Sequence, residues 1–316
     1  MTKGSSAPLL SAGVGEESQP LSTMGYLWSI FVMCPFKDYT PEEWKARRKM
    51  QSADLVWTPL SLLLYLCVAN AALCTHSSIG EANAPSVPPA SVRYLLLAMM
   101  VLSSYILYLH MFALPSPTQD ASVDDFKGIP GPFGRWWFLT RQTIGLQAWH
   151  QMLSYTAVVM QWSRLATLTH ALALWLCGPA NFVTVQFFVL VFGHKDFKAA
   201  CTRWKTKGVP FREAMIMLHA WQLPVASLDV LLLKDRAAML RLTPSAPWLG
   251  VIFGCFVAFY LSIVAVNFRL KGVYPYGVMR DCGSSPQRWG KLIAVQIGVL
   301  VVLFLPPYAA AHFLPV

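Results

Sequence analysis

Apolar positions in this chain fall in long unbroken runs, without the strict alternation of a half-buried strand. Seven such runs cover residues 55–73, 92–114, 137–160, 166–192, 214–233, 248–268 and 292–313. A hydrocarbon core of about 30 Å takes roughly 20 helical residues to cross, and each run is close to that length. Lipid offers a backbone no hydrogen-bond partner, so runs of this kind pair their amides internally as helices. The pattern predicts an all-α polytopic membrane bundle of about seven transmembrane helices.

The region ahead of the first run has a different character. A Gly-, Ser- and Pro-rich tail through Ser22 has no pattern able to bury a core, which predicts disorder. The apolar run 26–33 is too short to span and is followed by Pro35, which fits an interfacial segment. Thr40 and Pro41, with Glu43 two residues on, mark a helix start: a capping hydroxyl, proline at the first helical position and a carboxylate at the third. This helix carries Lys45, Arg47, Arg48 and Lys49 toward the membrane. The expected organisation is a polar tail with its basic juxtamembrane helix (1–53), an N-terminal span and loop (54–90), and a six-span membrane domain (91–316).

Composition agrees with the class: 55% hydrophobic residues, 13% charged and a mean hydropathy of +0.47. Charge adds a direction. With the N-terminus inside, the four inner segments hold 6, 3, 6 and 5 Lys or Arg, against 5 in all outer segments. Basic residues collect on the inner side of membrane proteins, so an inner (cytosolic or matrix) N-terminus is expected. The net charge of +10 then reflects topology and attraction to anionic lipid headgroups. Nucleic acid is not an expected partner, because the basic residues are dispersed with no reader motif. Seven scattered cysteines without C-x-x-C spacing predict neither a disulfide framework nor a zinc site. Histidines without paired spacing leave no metal or cofactor expected. A cleaved signal and a mitochondrial presequence are not expected either, since no early apolar run exists and the first arginine is Arg47.

One ionisable residue stands out by depth. His219 lies inside the run 214–233, and an ionisable group at membrane depth is a functional candidate whose partner must be sought. Thr140 closes Gly134-Arg135-Trp136-Trp137-Phe138-Leu139-Thr140, just inside the third run. Both runs proceed outward from the inner face, so both residues lie roughly 5 to 10 Å below the same surface at 1.5 Å per residue. Two parallel helices can present hydroxyl and imidazole at one level. Pro224 leaves the Ala220 carbonyl without its helical donor and predicts a kink just beyond His219.

These residues also carry a resemblance. The segment 134–140, with Gln147 a helical interval on, resembles the G-x-W-x-[FY]-L-T segment of the androgen-induced gene 1 family, which includes the androgen-dependent TFPI-regulating protein. Gly178-Pro179, the aromatic run to Phe188 and then Lys195-Asp196 resemble its proline-containing span. His219 to Leu223-Pro224, with Asp229 beyond, resembles its H-x-x-x-L-P segment, and Val273-Tyr274-Pro275-Tyr276 its V-Y-P-[FY] segment. The resemblance covers about Val92 to Phe313, leaving the first span as an addition to a six-helix core. It implies an intramembrane lipid esterase acting on fatty acid esters of hydroxy fatty acids or similar acyl esters. Carried over by position, Thr140 is the nucleophile and His219 the base. Gln147 and Arg141 are the candidate oxyanion donors. Asn267 stands where the family has histidine, and Asp229 is the later acidic residue, about 15 Å from His219 along one helix and unable to orient it.

Simpler roles compete with these. A threonine near a helix start can bond a backbone carbonyl, and a membrane histidine can bridge two helices. His150 and His170 are expected at helix contacts, and Asp229 is expected to be solvated or paired with Lys234. Two functional classes follow. The first is a Thr140/His219 lipid ester hydrolase, with the endoplasmic reticulum or plasma membrane as its expected location and membrane lipids as its surroundings. The second is a non-catalytic accessory subunit of a larger membrane complex, docked through residues 1–90, for which the mitochondrial inner membrane is an alternative location.

Overall fold

The computed structural model describes residues 41–74, 90–113, 133–206, 211–272 and 274–313. The tail, the run 26–33 and Thr40 lie outside them. Every regular element among the described residues is helical. In chain order these are α1 (Pro41–Cys74), α2 (Ala90–Tyr108), α3 (Leu139–Val159), α4 (Ser163–Gln186), α5 (Lys195–Thr206), α6 (Phe211–Ala220), α7 (Gln222–Leu228), α8 (Arg236–Leu242), α9 (Ala246–Lys271), α10 (Gly277–Cys282) and α11 (Pro286–Phe313). The basic stretch and the first span form one continuous helix over the described residues Pro41–Cys74, 34 in all. The boundary expected near residue 54 therefore falls inside α1.

Six helical segments among the described residues are long and apolar enough to cross a membrane: Ser52–Cys74, Val92–Met111, Ser163–Val191, Phe211–Leu233, Pro247–Lys271 and Pro286–Leu305. The chain is thus a helical membrane protein. The third expected run is the exception. Its helix, α3, has 21 residues and adequate length, but Arg141, Gln142, Thr143, Gln147, His150 and Gln151 are all buried within the protein. Polar side chains on a helix shielded from lipid can be matched by neighbours, which hydrocarbon would never provide.

Helix α4 is the hub. It packs against α1, α3, α7, α8 and α11, and its Leu172, Leu174 and Trp175 are almost fully enclosed. Helix α11 lies at the rim, with none of its apolar segment buried. Three π-helical turns end membrane helices, at Leu109–Ala113, Phe187–Val191 and Asp229–Leu233. Such turns widen the helix by one residue and recur at functional sites. Here they carry His110, Phe187 and Asp229.

Candidate active site

The nucleophile candidate is set by a short irregular entry into α3. Gly134 has φ of +51°, a left-handed conformation that suits glycine, and opens a 3-10 turn over Gly134–Trp137. Phe138 is extended (φ −91°, ψ 131°), so α3 begins at Leu139 with Thr140 in its first turn. Two bonds fix this entry: Gln142 Nε2 donates to the Trp136 carbonyl at 2.8 Å, and the Leu139 amide donates to the Tyr276 hydroxyl at 3.1 Å. On the other side, α6 stops at Ala220 and α7 resumes at Gln222, which places the break expected from Pro224 at Trp221. His219 occupies the last turn before it. Its carbonyl accepts a bond from Thr184 Oγ1 at 2.7 Å, which ties the interrupted helix to α4.

Thr140 Oγ1 and His219 Nε2 are 3.2 Å apart, and both side chains are buried. The other ring nitrogen, Nδ1, is 2.7 Å from the Met215 carbonyl. A carbonyl only accepts, so Nδ1 bears the hydrogen and, in the neutral ring, Nε2 offers a lone pair to the threonine hydroxyl. This is the tautomer a general base needs. Phe187 stacks on the imidazole with centroids 3.8 Å apart and planes 12° apart, holding the ring in its plane. A backbone carbonyl and an aromatic face thus do the orienting that a carboxylate does in many triads.

The pair opens onto a cavity of about 370 Å³. Its inner walls are apolar, formed by Phe182 of α4, Phe253, Phe256 and Val257 of α9, and Ile297 and Leu300 of α11. Its polar end holds His194, Asp196 and Arg280. Arg280 pairs with Asp196, while His194 lies 3.5 Å from Asp196 and 3.4 Å from Asp281. Gly277 makes room for that histidine: a Cβ there would sit 2.3 Å from the His194 ring.

The supporting candidates lie elsewhere. Arg141 is fully buried but turned toward α1, 3.9 Å from Asp54, with Nη2 donating to Thr58 Oγ1 at 3.2 Å. Its guanidinium also lies over the Trp136 ring at 5.6 Å. Gln147 donates to the Gln222 carbonyl at 3.3 Å, bracing the break between α6 and α7. Asn267 is buried with neither amide atom hydrogen-bonded, and it does not line the cavity. Asp229 bonds His150 Nε2 at 2.7 Å and lies 3.7 Å from Lys234 Nζ, so it joins a separate cluster. His170 is satisfied by backbone groups of Ala166 and Asp235.

Sequence reasoning missed the Met215 carbonyl, Phe187, Tyr276 and His110 at the cavity. The first could have been found, because a histidine mid-helix can bond the carbonyl four residues back. The others depend on helix packing. No family model, curated protein or solved structure matches the chain.

Proposed function

We propose that this protein is an intramembrane ester hydrolase in which Thr140 attacks an acyl ester carbonyl and His219 serves as general base. The observation that carries the reading is the 3.2 Å Thr140–His219 contact, with Nδ1 committed to Met215, at the wall of an apolar cavity. A threonine hydroxyl is a weak nucleophile until a base takes its proton during attack. His219 Nε2 receives that proton and returns it to the departing alkoxide, leaving an acyl-threonine. A water molecule then gives its proton to Nε2, attacks the acyl carbon and releases the fatty acid, and Thr140 regains its hydrogen. The cavity volume suits a small amphiphile, with its apolar walls against the acyl chain.

In this reading α3 is a seventh crossing, sheltered by its neighbours, and the N-terminus faces the inner side as the basic residues suggest. The motif resemblance to the androgen-induced gene 1 family supports the same assignment of nucleophile and base. Purified protein in nanodiscs, offered a fluorescent acyl ester and a panel of lipid esters, is expected to turn over at least one of them. Thr140→Ala is expected to lose about 10³-fold or more of that rate. Equal turnover by wild type and Thr140→Ala would sink the proposal and favour a scaffold role within a larger membrane assembly.

A further inference from the structure

Hydrolysis through Thr140 leaves one charge unaccounted for: the oxyanion of the tetrahedral intermediate. Neither sequence candidate for this role reaches the site, since Arg141 binds toward Asp54 and Gln147 binds Gln222. Tyr276 does reach it. Its hydroxyl oxygen accepts the Leu139 amide at 3.1 Å, which sets the phenol beside Thr140, the next residue along. Its ring packs edge-on against Phe138 with centroids 5.8 Å apart, which fixes the phenol against the start of α3. Tyr276 lines the same cavity as Thr140 and His219.

We infer that Tyr276 is a third catalytic residue, whose hydroxyl donates the hydrogen bond that stabilises the oxyanion formed on attack by Thr140. The inference rests on the ester-hydrolase reading above. A phenol has one hydrogen to give; the Leu139 amide occupies an acceptor lobe of the oxygen and leaves that hydrogen available to an acceptor in the cavity that Tyr276 lines. In the resting site Thr140 Oγ1 donates to His219. On attack Oγ1 becomes bonded to the acyl carbon, while the former carbonyl oxygen takes the negative charge. Both oxygens are then attached to one carbon at the start of α3, where the Leu139 amide holds the phenol. The proton remains on Tyr276 throughout. Burial pushes the phenol pKa above its ordinary value, keeping the hydroxyl protonated and able to donate. The N-terminal end of α3 adds partial positive charge at the same place. Tyr260 is also buried and lines the same cavity.

The test is the steady-state kinetics of Tyr276→Phe beside Thr140→Ala and Tyr274→Phe, each in nanodiscs with the same ester. Tyr274 belongs to the same segment but stacks on Phe268 at 4.1 Å, so it controls for disturbance of the loop. Tyr276→Phe is expected to lower kcat about 10²-fold with KM within about twofold, the loss typical of one oxyanion donor, and Tyr274→Phe to match wild type. If Thr140→Ala is inactive while Tyr276→Phe keeps wild-type kcat, the inference falls and the hydrolase reading stands. Full activity in Thr140→Ala overturns both. An equal loss in Tyr274→Phe also overturns the inference, since the loop and not the hydroxyl is then responsible. Should Tyr276→Phe fail to fold, 3-fluorotyrosine at position 276 preserves the packing and acidifies the phenol. A changed kcat and an acid-shifted upper limb of the pH profile support the role, and an unchanged profile removes it.

Discussion

Two histidines on neighbouring helices sit in hydrogen-bonded relays, and the one whose partners more resemble a catalytic triad is the one that does not line the cavity at Thr140. His150 accepts or donates at Nδ1 to the Tyr65 hydroxyl at 2.7 Å and binds Asp229 through Nε2 at 2.7 Å. Lys234 extends the chain, 3.7 Å from Asp229 and donating to Ser154 Oγ at 2.6 Å. His219 has no carboxylate, only the Met215 carbonyl. Yet Thr140 and His219 line the 370 Å³ cavity, whereas none of Tyr65, His150, Ser154, Asp229 and Lys234 does. A buried relay set away from that cavity satisfies buried charge and joins helices. Access, more than resemblance to a triad, separates the reactive candidate from the structural one.

The same conservative change at both histidines gives the largest expected contrast. His219→Gln keeps an amide able to bond Met215 or Thr140 but removes the base, so ester turnover is expected to fall by about 10³-fold or more with little change in melting temperature. His150→Gln loosens bonds to a carboxylate and a phenol and is expected to cost about 2 to 3 kcal/mol of stability, while turnover per folded molecule stays near wild type. Thermal unfolding in detergent and activity normalised to folded protein read the two effects separately. The reverse pattern would exchange the roles of the clusters.

Asp229 tests the structural cluster from its charged centre. With side chains of both Asp229 and Lys234 about 3% exposed, Asp229→Ala leaves a buried ammonium without its counter-ion. Breaking such a pair typically costs about 3 to 5 kcal/mol. Adding Lys234→Met removes the stranded charge and is expected to recover part of the loss, a coupling that a double-mutant cycle measures. No recovery would show that Asp229 acts mainly through His150.

Residue type and spacing explain why some of this was legible beforehand. Helix length and apolar composition identify six crossings directly, since lipid enforces both. Helix α3 shows the limit: its apolar residues predicted a span, while its buried Arg141, Gln147 and His150 need a protein environment that only packing reveals. Counting basic residues by side likewise treated Arg135, Arg141 and Lys234 as headgroup charges, although all three are buried. Thr140 and His219 were legible because depth depends only on position along a helix. Arg141 was carried to the site by its place next to Thr140, whereas Asp229 was expected to be solvated or paired with Lys234, which lies 3.7 Å away. The partners that went unforeseen, Asp54 for Arg141 and His150 for Asp229, come from helices whose rotation the sequence does not encode locally.

The smallest expected effect examines whether the two clusters are energetically independent. Tyr65→Phe removes one hydroxyl from the far end of the structural relay and retains the ring, which is 1% exposed and packed in the core around Trp175. The loss should be that of a single buried hydrogen bond, about 1 kcal/mol, because His150 Nδ1 loses its partner while Asp229 continues to hold Nε2. Turnover should not change, since Tyr65 does not line the cavity. Both clusters are nonetheless mounted on α3, Thr140 in its first turn and His150 some ten residues along. If the helix transmits strain between them, Tyr65→Phe will alter kcat as well as melting temperature. An unchanged kcat, with a stability loss that adds to that of Thr140→Ala in the double variant, makes α3 a rigid mount for two separate devices.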